Sequence, residues 1–280
     1  MFPYPIFDNH IHLQLTGKNV EAVKEFVKAG GTHFILVNLP YPSIKINRGE
    51  DFEKQYNVTL KIANLVHEKT SARCYCALGP YPLILLDLLK EHPLEEAIEI
   101  MCKGVDIAKR YILEKKAVAI GEVGRPHFPV SQDILDVSNK IIEYIFQIAK
   151  EINCPVIMHT ESATVSLFKE FSDLAKKRNF TPEKVIKHFS GPFVLESENF
   201  GIFPSILASK ENILEALRKK STRFFMETDY LDDLKRPGAV LDIKTVPKRT
   251  IALHKEGVLT DEMVFKIHKE NPEKMYGLEF

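Results

Sequence analysis

The feature that most restricts the fold is a repeated change of texture along the chain. Eight short β-branched or apolar runs, at 6–13, 32–39, 71–78, 117–120, 155–158, 184–188, 202–207 and 223–226, alternate with longer Lys- and Glu-rich stretches. The longer stretches carry apolar residues at helical spacing: over 19–29, Val20, Val23, Phe26 and Val27 share one stripe, and Gly30-Gly31 ends it. Further helices are expected at 51–69, 83–91, 94–114, 133–152, 162–178, 211–220, 248–256 and 260–269. Strand–helix units repeated eight times in 280 residues match a (β/α)8 barrel, which needs about 250. The competing arrangement is an open doubly wound sheet. Its mark, a Gly-rich phosphate loop after the first strand, is missing, and Asn9-His10-Ile11-His12 stands there instead. No linker and no short-period repeat interrupts the pattern. The expectation is an α/β chain, a (β/α)8 TIM barrel filling 1–280 as one domain.

Charge and composition narrow the function. Lys+Arg and Asp+Glu are both 38, so the chain lacks the overall basic excess of a dedicated nucleic-acid reader, though a local patch stays open. No apolar run reaches the ~18–20 residues of a membrane helix; the greasiest, 83–89, is broken by Asp87. With no secretory leader visible, a cytoplasmic protein without a membrane partner is expected. Cys74, Cys76, Cys102 and Cys154 form no CxxC pair and read as small buried groups in a reducing compartment.

The polar residues at the ends of the strands carry the chemistry. In a strand His10 and His12 point to one side, roughly 7 Å apart along the chain. The fourth run leads into Gly121-Glu122, the fifth into His159, the sixth into His188, and the eighth into Glu227-Thr228-Asp229. Each alone is an ordinary strand-end residue or cap. Together they place four imidazoles and two carboxylates at the end of a barrel where such enzymes build their sites. Folding alone gives no reason to gather them. Such a set can hold two divalent ions ~3.5–4 Å apart, with Glu122 as the carboxylate that bridges them. The ions would lower the pKa of a bound water toward ~7, giving a hydroxide, and Asp229 is placed to take its proton. Imidazole with carboxylate suits Zn, Mn, Ni, Co or Fe better than Ca, and Mg is kept among the candidate ions.

His-x-His after the first strand, Gly121-Glu122 after the fourth, His159 after the fifth, His188-Phe189-Ser190-Gly191 after the sixth and Glu227-Thr228-Asp229 after the eighth resemble the TatD-type metal-dependent hydrolases of the amidohydrolase superfamily. The closing Asn271-Pro272-Glu273-Lys274-Met275-Tyr276-Gly277 is similar to that family's ending. The resemblance covers nearly the whole chain. It implies a metallo-dependent-hydrolase barrel with one ion on His10, His12 and Asp229, the other on His159 and His188, and Glu122 between them. It also implies a hydrolase, first of all a deoxyribonuclease acting on phosphodiesters. The phosphotriesterase and dihydroorotase branches resemble one another in using a carboxylated lysine where Glu122 stands.

The chain departs from the TatD pattern at several points. Arg125-Pro126-His127 follows Gly124 in place of Leu-Asp, and Glu161 stands where the family has an arginine two residues past the strand-five histidine. Arg125 and His127 are therefore candidate substrate contacts, and Lys187, Lys235, Arg236, Lys244, Lys248 and Arg249 are candidate replacements for the missing base. A small amide, ester, lactone or phosphoester is the alternative substrate, and a non-catalytic metal-binding protein the alternative class. Assembly into a homo-oligomer stays open. His33 reads as structural, and His67, His92, His254 and His268 read as surface groups on or beside helices.

Overall fold

In the computed structural model, which describes residues 2–280, the strands are Phe7–His12 (β1), His33–Val37 (β2), Arg73–Leu78 (β3), Ala119–Gly124 (β4), Val156–His159 (β5), Val185–Lys187 (β6), Phe203–Leu207 (β7), Phe225–Glu227 (β8) and Tyr230–Leu231 (β9). Helices Val20–Lys28 (α1), Asp51–Lys69 (α2), Ile84–Leu88 (α3), Leu94–Leu113 (α4), Gln132–Glu151 (α5), Val165–Lys177 (α6), Glu196–Asn199 (α7) and Lys210–Arg218 (α8) lie between them. Thr245–Lys255 (α9), Asp261–Phe265 (α10) and Asn271–Tyr276 (α11) follow, with a π turn at Lys266–Glu270 joining the last two. Side-chain oxygens of Thr164, Ser209 and Thr260 accept the free N–H groups of Leu167, Asn212 and Met263, and so start α6, α8 and α10.

All nine strands pair in parallel, in the order β8-β7-β6-β5-β4-β3-β2-β1-β9. Alternate residues face opposite layers. Phe34 and Leu36 pack against the helices, while Ile35 and Val37 face inward with Phe7, Ala119, Ile157 and Phe225. Met275 and Tyr276 of α11 close that inner layer. Both faces are covered, which is why the strands read as unbroken apolar runs rather than alternating ones.

The sheet curls until its ends lie side by side, because β8 and β9 are separated only by Thr228 and Asp229. The backbone ladder does not run through that seam among the described residues. There the Asp8 carboxylate accepts the Thr228 N–H (3.1 Å) and hydroxyl (2.8 Å). A side chain spans the gap where a closed barrel would place a strand pair. The eight-strand expectation therefore meets a nine-strand curled sheet: β8 falls on the eighth run, and β9 is added beyond it at Tyr230–Leu231.

Other boundaries shift for local reasons. β4 runs on through Glu122 to Gly124, and α7 forms between β6 and β7, outside the expected helices. His268 is not a surface group. It is fully buried in the π turn, between the Phe7 backbone and the Thr250 hydroxyl (2.9 Å). His92 and His254 are half-buried and pair with Glu96 and Asp261. Among the described residues no helix is long and apolar enough to cross a membrane, and all four cysteines are free.

Candidate metal centre

Two strands carry an irregularity just where the site begins. β1 shifts register against β2 between Asp8 and Ile11, and β4 shifts against β5 between Gly121 and Val123. Such bulges re-aim side chains. Phe7 faces the inner layer, yet Ile11, of the same parity, faces the helices. Between them Asn9 and His10 both turn inward. Asn9 donates to Ser205 Oγ (3.0 Å) and accepts from Tyr276 (2.6 Å), and His10 enters the site. In β4, Ala119 is inner and Val123 outer, and the irregularity between them sends Glu122 inward.

Glu122 is the centre of the cluster. Its Oε1 lies 3.8 Å from His12 Nε2. Its Oε2 lies 3.6 Å from His10 Nε2, 3.1 Å from His159 Nδ1 and 3.6 Å from His188 Nε2. Asp229 Oδ1 stands 3.8 and 3.7 Å from the Nε2 atoms of His10 and His12. The residue adopts a left-handed conformation (φ 50°) that breaks β8 from β9 and swings its carboxylate over the site; Asp tolerates this conformation better than most residues. Gly124, with φ +138°, is required where β4 passes β5, since a Cβ there would sit 2.2 Å from the His159 carbonyl oxygen.

The donor set fits divalent cations on three counts. His10 and His12 bring their Nε2 atoms to 3.1 Å from each other, and His10 Nδ1 is buried without a hydrogen-bond partner. Burial holds His10, His12 and His188 below the ordinary imidazole range, so their nitrogens carry free lone pairs at neutral pH. The carboxyl groups crowd. Burial, then Glu227, Glu122 and Asp8, push Asp229 well up, and burial pushes Glu227 to about 8 and Asp8 to about 7. Burial works against the Glu122 charge too, but the imidazoles around it hold that carboxyl down at about 2. Lys187 is the buried amine among them, and it donates to the His188 carbonyl oxygen (2.6 Å). Bound cations would balance this excess of buried acid. Three overlapping triads have ligand atoms close enough for one ion: His10, His12 and Glu122; His10, His188 and Asp229; Glu122, His159 and His188.

The candidate substrate residues divide. His127 is exposed on the cavity, 2.9 Å from His159. Arg125 does not reach the cavity. Its guanidinium is buried over the Phe171 ring and bonded to Asn139, Glu161 and Glu170, so the arginine and the acid at position 161 neutralise each other. Of the loop bases, Lys235 and Arg236 line the cavity, Arg236 paired with Asp233, and Lys244 pairs with Glu25 and Asp242. The cavity measures about 700 Å³, and Pro40, Tyr41, Pro42, Tyr81 and Val240 wall it.

Two participants, Asp8 and Tyr81, escape a reading of the strand ends, and that reading gives a third, Glu227, no role. Glu227 accepts from the Phe189 N–H (2.7 Å) and the Ser205 hydroxyl and holds His188 Nδ1 at 3.1 Å. Asp8 orders the β1 turn by accepting the His10 N–H (3.1 Å) as well as spanning the seam. Tyr81 packs its ring edge against His159. Asp8 was detectable in principle: an acid inside a strand covered on both faces has no solvent to face.

A family model described as TatD related DNase matches residues 7–277. An uncharacterised protein of Methanocaldococcus jannaschii is 44% identical over 278 residues, covering 98% of this chain and 96% of the relative. An uncharacterised metal-dependent hydrolase of Bacillus subtilis is 27% identical over 173 residues, 59% of this chain and 55% of the relative. Among solved structures, a TatD homologue of Escherichia coli superposes with a TM-score of 0.67 at 16% identity, covering 98% of each chain.

Proposed function

The chain belongs to the TatD-related DNase family and is a metal-dependent hydrolase, and from that premise we propose that it uses two divalent ions to cleave phosphodiester bonds. The observation that carries the reading is the position of Glu122, one oxygen toward His12 and the other toward His10, His159 and His188. A carboxylate so placed can serve two ions at once. His10, His12 and Asp229 would hold one, His159 and His188 the other. Bound there, the ions supply Lewis acidity and make water a nucleophile at neutral pH.

The chain's own groups supply the rest. With its raised pKa lowered by bound cations, the Asp229 carboxylate, beside His10 and His12, would take the proton released in attack. Glu227 and the Val37 carbonyl oxygen hold His188 and His12 in orientation. Lys235 brings a positive charge to the cavity rim for a phosphate anion, Arg236 beside it is paired with Asp233 (2.9 Å), and Pro40, Tyr41, Pro42 and Tyr81 give the cavity an apolar wall. A second reading, a small ester or lactone, is favoured by that apolar wall and by the mutual neutralisation of Arg125 and Glu161.

Metal-free protein reloaded with Zn, Mn, Ni, Co, Fe or Mg and offered bis(p-nitrophenyl) phosphate, single-stranded DNA, p-nitrophenyl acetate and a lactone separates the two. Metal-dependent turnover of the phosphodiesters that vanishes in Asp229→Asn is expected. Turnover of the ester or lactone alone would move the substrate class to the second reading.

A further inference from the structure

Metal-binding histidines almost always keep their second ring nitrogen occupied, because an outer partner fixes both the tautomer and the tilt of the ring; His10, whose Nδ1 is buried without a partner, is the exception in this cluster. His12 points Nδ1 to the Val37 carbonyl oxygen (3.0 Å), and His188 points Nδ1 to Glu227 Oε1 (3.1 Å). Each thereby leaves Nε2 to the centre. His159 is turned the other way. Its Nδ1 faces Glu122 Oε2 at 3.1 Å, and its outward nitrogen is Nε2. What meets Nε2 most closely is not a carboxylate or a carbonyl but a fifth imidazole, His127 Nδ1, at 2.9 Å, with the Tyr81 hydroxyl farther off at 3.5 Å. The two rings stand edge to face, with centroids 5.1 Å apart.

Two ring nitrogens at that distance share a single proton. In the proposed centre His159 Nδ1 is given to the ion, so the proton sits on Nε2 and His127 Nδ1 accepts it. The proton of neutral His127 is then on its own Nε2. The loop that carries His127 is held from two sides. Gly124 pairs with His159 at the end of the β4–β5 ladder, and the Arg125 N–H donates to the His159 carbonyl oxygen (2.9 Å). The Arg125 side chain is anchored on Asn139 of α5 and Glu170 of α6. Residue 127 thus leaves a pinned backbone two residues from the ring it meets, as a preorganised orienting group must.

We infer that His127 is the positioning residue for His159: it fixes the Nε2–H tautomer of that ring and through it the affinity of the ion shared by Glu122, His159 and His188. This rests on the two-ion reading above. It gives a role to the Arg-Pro-His segment, where the chain departs from its family. The buried arginine anchors the loop and the histidine uses the anchorage.

The test is a titration of metal-free protein with Zn²⁺ against a chromophoric chelator, resolving the two dissociation constants in wild type, His127→Phe, His127→Gln and His159→Ala. Phe keeps a ring and removes the acceptor, and Gln keeps an acceptor. His127→Phe is expected to raise one constant about 10- to 100-fold and to leave the other within about threefold, with His127→Gln close to wild type. Imidazole ¹⁵N shifts of the zinc-loaded protein should show His159 ligated through Nδ1 and protonated at Nε2. Both constants unchanged in His127→Phe, or both weakened alike in the Phe and Gln variants, would overturn the role of His127. Constants unchanged in His159→Ala would instead overturn the two-ion centre, and with it this role.

Discussion

Replacing His268 should change how stability depends on pH, by an amount that follows from its burial. The ring has no solvent contact and is held between the Phe7 backbone and the Thr250 hydroxyl. Burial lowers its pKa from 6.5 to about 4, with the Phe7 contact acting weakly the other way. The folded protein therefore resists a proton that the unfolded chain accepts. Above pH 7 the ring is neutral in both states and adds no slope. As pH falls from about 6.5 toward 4, the unfolded state gains the proton first and stability drops. A gap of about 2.5 units corresponds to roughly 3 kcal/mol in full, of which about 2.5 kcal/mol is expressed by pH 4.5. Urea unfolding of wild type and His268→Gln at pH 7.5 and 4.5 measures it. Other titrating groups are common to both proteins, so the difference between the two isolates this ring. Wild type should lose about 2.5 kcal/mol more than the variant on acidification. Equal losses within about 0.5 kcal/mol would refute the reasoning, since the ring would then protonate as freely in the fold as out of it.

Two further substitutions probe the supports of the site. Glu227→Gln leaves an acceptor for the Phe189 N–H but not the negative charge that bound cations would restore to Glu227 beside His188, and should weaken metal binding about 10- to 100-fold in a chelator competition while changing the melting temperature little; unchanged affinity would remove Glu227 from the account. Gly124→Ala places a Cβ 2.2 Å from the His159 carbonyl oxygen at φ +138° and should lower stability by at least about 1–3 kcal/mol, read as a drop of several degrees in thermal melting; a wild-type melting temperature would show that β4 and β5 can separate there without cost.

The order of strands and helices was legible because each strand is buried on both faces and each helix on one, and those two demands write different spacings into the chain. Helix 51–69 and the strand ending at Leu78 coincide with α2 and the end of β3 for that reason. The approach of His10, His12, Glu122, His159, His188 and Asp229 was legible because parallel strands present equivalent ends to one side. The rest depends on partners far along the chain. Nothing near Asp8 announces Thr228, 220 residues away, as the donor that breaks the ladder at the seam. Nothing near His268 announces that Phe7 and Thr250 will enclose it. Arg125 read as a free base because the acids that neutralise it, Glu161 and Glu170, come from the loop after β5 and from α6. The register shifts in β1 and β4 leave no mark in the apolar pattern, since a bulge alters facing without altering composition.

The central claim is that Glu122 joins two ions into one centre, and metal stoichiometry in a small set of variants tests it most directly. Protein stripped of metal, reloaded with Zn²⁺ or Mn²⁺, freed of excess by gel filtration and analysed by inductively coupled plasma mass spectrometry should hold two ions per chain. His10→Ala and His159→Ala should each retain one, and Glu122→Ala should lose both or bind them far more weakly, all with wild-type far-UV circular dichroism. A wild-type protein that holds a single ion, or a Glu122→Ala variant that still holds two, would contradict the account.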